Sequence, residues 1–155
     1  MQRIGGPRPF KPFLRAALAV LALAGCGEKG ADLPAPCRQG QQAVAGALAS
    51  APGPVRIDGV PISGCMTDGA DAADLQELGA AVNGAAARLA GVAAERPDSA
   101  EAVQLGYLAG ALKRGSERTQ GLHSELVRRV DQELVRVDRS SAAFRRGERA
   151  GRKLG

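Results

Sequence analysis

An all-α fold is predicted: an antiparallel bundle of three long helices plus a short, disulfide-tied N-terminal helix. Three observations predict it. Leu75, Leu78, Val82, Ala85, Leu89 and Val92 advance by alternating steps of three and four, the spacing that puts side chains on one helical stripe. Leu122, Leu126, Val130, Leu134, Val137, Ser141 and Phe144 repeat the pattern with Arg, Glu, Asp and Gln between them. The only β-favouring runs, Val55-Arg56-Ile57 and Val60-Pro61-Ile62, are brief and flank one Asp-Gly pair.

The elements follow in order. Residues 37 to 51 carry no proline and space Cys37, Gln41, Val44 and Leu48 along one stripe, a short first helix that Pro52-Gly53-Pro54 ends. Residues 55 to 62 then form a small β-hairpin or a loop covering one end of the bundle; Pro61 cannot donate to a ladder, so any strand there is short and at an edge. Asp68 or Asp71 caps the second helix, whose early acids Asp71, Asp74 and Glu77 suit its positive end. That helix stops near Arg96-Pro97. The third starts at Asp98 or Ser99, buries Val103, Leu105, Leu108 and Leu112, and ends around Gly115. The last is expected to run unbroken from Glu117 or Thr119 into the basic tail, about 45 Å at 1.5 Å per residue, with its final turns projecting past the bundle.

Glycines inside helices (Gly79, Gly84, Gly91, Gly106, Gly110) each cost about 1 kcal/mol of helix propensity. They mark contact points or local mobility, and the four-residue spacing of Ala102, Gly106 and Gly110 suits a close helix crossing. Coding bias toward GC is the other explanation for the abundant Ala and Arg.

The chain has 155 residues, 21 Lys+Arg against 16 Asp+Glu, and a formal charge of +5. Its length allows one short domain and excludes a large multidomain enzyme. Four of the cations (Arg3, Arg8, Lys11, Arg15) precede an apolar run from Ala16 to Ala24, so the rest holds 17 basic and 16 acidic groups. A basic start, a short apolar run and small residues make a secretory signal. The run is about half of the ~20 residues that a transmembrane helix needs.

That run ends in Leu23-Ala24-Gly25-Cys26, which resembles the lipobox of bacterial lipoproteins at all four positions. The resemblance covers about 26 residues. It implies that residues 1–25 are a signal peptide cut before Cys26, whose thiol carries diacylglycerol and whose new amino terminus is acylated, by palmitate or a similar chain. The protein would then lie on the extracytoplasmic face of a cell membrane or outer membrane, held by lipid. An ordinary signal cleaved after Ala22-Leu23-Ala24 is the alternative. Residues 26–36, rich in Gly and Pro, read as a flexible tether, and residues 37–155 as the helical domain.

With Cys26 lipidated, Cys37 and Cys65 remain, and an even pair in an exported chain is most simply a disulfide. A redox or metal pair is the rival reading, but there is no C-x-x-C and no histidine nearby.

No catalytic or metal site is expected, and no cofactor. His123, the single histidine, has Ser124 beside it and so about 100° away on the helix; Ser116 and Thr119 share its face without a strained turn or oxyanion donors. The acids of the second helix serve its dipole, and Asp131, Glu133 and Asp138 alternate with arginines as solvated pairs. Asp58-Gly59 lacks the other ligand positions of a calcium loop.

Charge is segregated. Residues 139–155 hold Arg139, Arg145, Arg146, Arg149, Arg152 and Lys153 against Glu148 alone, a local +5, leaving 27–138 at −4. This basic tail is either a solvated helix end or a surface for an envelope protein or an anionic envelope component. Nucleic acid is excluded as a partner by export and by the lack of interleaved aromatics. The expected function is a membrane-anchored, non-enzymatic structural or interaction module; the alternative is a small-molecule-binding lipoprotein, its ligand held between helices near Tyr107 and His123.

Overall fold

The computed structural model describes residues 32–119 and 121–155. The signal peptide, Cys26 and the first half of the tether lie outside the described residues. Among these residues are five α-helices and one two-stranded hairpin.

Leu33, expected within a flexible tether, is buried, and a 3-10 turn follows at Ala35–Arg38. The packed domain therefore begins before Cys37, because Leu33 is the one large apolar side chain of that stretch. Helix α1 (Gly40–Leu48) buries Val44 and Leu48. Cys37 and Cys65 form a disulfide that closes the segment carrying α1 and the hairpin. Strands β1 (Arg56–Ile57) and β2 (Val60–Pro61) pair antiparallel, Ile57 opposite Val60. Asp58 and Gly59 both have positive φ, 44° and 86°, as the favoured two-residue hairpin turn requires.

Helices α2 (Ala72–Glu95) and α3 (Ala100–Ser116) begin where the sequence puts their caps. Asp71 accepts from the Asp74 N–H at 2.8 Å, and Ser99 from that of Ala102 at 3.2 Å. Each cap satisfies one of the orphan donors of a first helical turn. Helix α3 is the centre of the domain: Ala102, Val103 and every residue from Leu105 to Leu112 are buried. It packs against α2, α4 (Leu122–Glu133), α5 (Ala142–Leu154) and the 3-10 turn at Ile62–Cys65.

The unbroken last helix is a correction. The chain leaves α4 through a 3-10 turn at Leu134–Arg136, becomes extended at Val137 (ψ 134°) and starts again as α5. Asp138 stops continuation by accepting from the Ser140 N–H and hydroxyl, a local side-chain turn that competes with helix. Ser141, expected on the apolar stripe, instead caps α5 by accepting from the Phe144 N–H at 3.2 Å.

Nor does the basic segment project outward. Helix α5 lies on α3 in the most extensive helix contact of the domain. A Cβ added to Gly106 would meet the Phe144 carbonyl and one on Gly110 the Glu148 carbonyl; from the other side, Gly147 meets Val103 and Gly151 meets Tyr107. Four residues along α3 correspond to four residues along α5 in the same sense, so the two helices run parallel, with backbone against backbone. The tight crossing expected at Gly106 and Gly110 is present, matched by Gly147 and Gly151 of α5. Gly84 makes room for the Gln41 side chain, whereas Gly79 and Gly91 face open space.

Candidate functional site

Two places bring chemistry-bearing side chains together: the outer face of α5, and a cleft between α2 and α4.

The glycine face of α5 fixes what the opposite face presents. With 3.6 residues per turn, Arg145, Arg146, Arg149, Arg152 and Lys153 fall within an arc of about 120°, and all five are exposed. Arg152 pairs with Glu117 at 3.2 Å. Among the described residues Arg145, Arg146, Arg149 and Lys153 have no ion-pair partner. Arg139, before the cap, pairs with Asp131 at 3.7 Å and stands 6.0 Å over the Phe144 ring. It therefore belongs to the α4–α5 turn and not to the stripe on α5.

Side chains of α3 hold this helix down at its C-terminal end and along one edge. Arg114 donates to the Arg152 and Lys153 carbonyls at 2.8 Å each, a favourable place for a cation at a helix C-terminus. Lys113 binds Glu148 at 2.8 Å. Partial burial raises the Glu148 carboxyl, but the hydrogen bond and charge of Lys113, with Arg152 and Arg139 nearby, outweigh it and hold the group below its ordinary range. Ser63 donates its hydroxyl to the Gly155 oxygen. The C-terminal end of α5 and the Cys37–Cys65 bridge thus lie at the same pole of the domain.

The cleft has a volume of about 360 Å³. Helix α2 contributes Ala72, Leu75, Gln76 and Gly79; α4 contributes His123, Glu125, Leu126 and Arg129. Leu75, expected in the core, is only half-buried here, while Leu78, one step along the same stripe, is 2% exposed. His123 is 4% exposed, and neither ring nitrogen has a hydrogen-bond partner. Each buried polar atom left unpaired costs about 1–3 kcal/mol. At the rim Glu125 receives Arg128 twice at 2.7 Å and Arg129 once at 2.9 Å. Those hydrogen bonds draw its carboxyl down to about 2.

Tyr107 does not line this cleft. It is fully buried, and its hydroxyl accepts from the Val55 N–H at 3.1 Å, tying the hairpin to α3. The alternative reading places one ligand near both Tyr107 and His123; the cleft brings Gln76, Gly79 and Arg129 to His123, without Tyr107. Their only sequence signal was that Gln76 and Gly79 each follow an apolar-stripe position, Leu75 and Leu78, which does not distinguish them from other helix residues.

Among the described residues no three His, Cys, Asp or Glu side chains converge as metal ligands, and no helix is long and apolar enough to cross a membrane. No protein family, curated protein or solved structure matches the chain.

Proposed function

We propose that the protein is a lipid-anchored, extracytoplasmic, non-enzymatic interaction module that applies the cationic face of α5 to an anionic surface of the cell envelope. The observation that carries this reading is the construction of α5. A short helix with five exposed cations and two buried glycines has little reason to be helical alone; here its glycine face is fastened to the central helix of the domain, so the cations are held in one array.

Position supports the reading as well. In the lipoprotein that the Leu23-Ala24-Gly25-Cys26 resemblance implies, six residue steps separate Cys26 from Asp32, at most about 21 Å of extended chain. The chain enters the domain at the Cys37 pole, where α5 ends. Anchor and cations can therefore reach one anionic surface together, the two-signal arrangement that makes membrane attachment firm.

The test compares binding to vesicles with and without anionic lipid, and to anionic cell-wall polymer. At about 1 kcal/mol per cation near such a surface, Arg145→Gln, Arg146→Gln and Arg149→Gln together weaken binding about 100-fold, and added salt does the same to wild type. Removing three exposed arginines elsewhere (Arg88, Arg96, Arg136) leaves most of it. Equal losses in the two triple variants overturn the reading in favour of net charge alone. A Cys26→Ala variant is expected to leave the membrane fraction, which tests the anchor separately.

A further inference from the structure

We infer that the cleft between α2 and α4 is a binding site for a small carboxylic acid with an apolar body.

Three features meet there that packing alone does not account for. The first is Leu75: Leu78, Val82, Ala85 and Leu89 of its stripe are buried, yet its own side chain is half-covered and faces the cleft, opposite a wall that includes the buried Leu126. The second is Gly79, a helix-interior glycine with no atom within 4 Å of where its Cβ would stand. Gly46 and Gly91 share that openness, so the glycine alone distinguishes nothing; at Gly79 it widens a cleft that already exists. The third is His123, nine-tenths buried in the cleft wall with both nitrogens unpartnered. Buried polar atoms in native proteins are almost always satisfied, and an orphan points to water or a ligand.

The chemistry of the occupant follows from the walls. About 360 Å³ is the space of about a dozen waters at ~30 Å³ each, room for one ring or a short aliphatic chain against Ala72, Leu75 and Leu126. At the mouth, the charge of Glu125 is shared by two arginines, so this rim carries one net positive charge. Arg129 uses only its Nε on Glu125, leaving its terminal nitrogens without a protein partner among the described residues. A carboxylate is the group that spare guanidinium donors recognise, with the Gln76 amide beside them. The His123 nitrogens are turned away from solvent; a half-turn of the ring about χ2, which exchanges each nitrogen for a ring carbon, gives the acid its second donor.

The probe is phenylacetate, with 2-phenylethanol as its uncharged counterpart, titrated into the full chain in zwitterionic nanodiscs and followed by leucine methyl and histidine-ring nitrogen resonances. Phenylacetate is expected to shift Leu75, Leu126 and His123 signals saturably, at least tenfold more tightly than the alcohol. Gly79→Leu, whose side chain enters open space and so leaves the fold intact, abolishes the shifts. Arg129→Gln reduces the acid to the affinity of the alcohol. No saturable shift in the millimolar range overturns the proposal, as does undiminished binding in Gly79→Leu. Equal binding of acid and alcohol overturns the assigned ligand class. None of these outcomes depends on α5, because an acid bound there leaves the Leu75, Leu126 and His123 signals unshifted.

Discussion

Gly147 of α5 lies against the carbonyl of Val103 in α3 with no space for a methyl group between them. Gly147→Ala therefore forces two backbones apart and destabilises the domain by about 3 kcal/mol or more, even though alanine is the better helix former by about 1 kcal/mol. Gly91→Ala, in open space on α2, is the control and gains up to that amount. Urea unfolding of the two variants checks both signs; similar effects would mean that α5 is not seated on α3.

The Cys37–Cys65 bridge spans 28 residues. Replacing both cysteines by alanine is expected to cost about 3.5 kcal/mol on the chain-entropy estimate. The loss should appear as a lower unfolding midpoint, and reduction of the wild type should reproduce it.

Tyr107→Phe keeps the ring in the core and removes only the acceptor of the Val55 N–H. A buried amide left unpaired costs about 1–3 kcal/mol, and hydrogen exchange at Val55 should accelerate far more than exchange within α2. Unchanged protection at Val55 would contradict the contact.

Acid weakens the fold through depressed carboxyls. Glu125 falls from 4.5 to about 2, drawn by Arg128 and Arg129, and Glu148 and Asp138 also lie below their ordinary values. A carboxyl depressed in the folded state makes the unfolded chain the better proton binder, so its stabilisation is complete above about pH 4.5 and is lost as pH falls toward 2. Glu125 is half-exposed at the cleft rim, and solvent screens most of its contribution; the partly buried Lys113–Glu148 pair dominates. Glu148→Gln is thus less stable than wild type at pH 7, and the gap closes at pH 2. A pH-independent gap, measured by denaturant unfolding across that range, would assign the loss to packing.

Ser141→Ala removes the cap of α5 and costs about 1 kcal/mol, with faster amide exchange over the first turn of α5 only.

Much of this architecture was legible because local chemistry decides it. Asp71 and Ser99 cap the helices they precede, Arg96-Pro97 ends α2, Asp58-Gly59 turns the hairpin and the two cysteines bond. The break after α4 was hidden by coincidence of spacing: Val137, Ser141 and Phe144 continue a three-and-four stripe, yet Ser141 faces the backbone as a cap. Gly147, Gly151 and Gly155 recur every four residues, but a glycine row shows its partner only once the helix facing it is known. The cleft was invisible for the same reason. Leu75 is an ordinary stripe residue and His123 an ordinary polar helix residue until the crossing of α2 and α4 leaves one half-covered and the other unpaired.

The position of the bridge also decides how the domain meets force. Tension entering from the amino-terminal side reaches Cys37 five residues after Asp32 and crosses directly to Cys65, two residues from the Ser63 hydroxyl that holds Gly155. The first helix and the hairpin lie inside the closed loop and feel none of it. A pull is thus delivered past the first helix and the hairpin, at Cys65, beside the Ser63 contact with the end of α5. With the bridge reduced, the same pull would unravel those 28 residues first, lengthening the chain by up to about 100 Å before the central helices carried any strain.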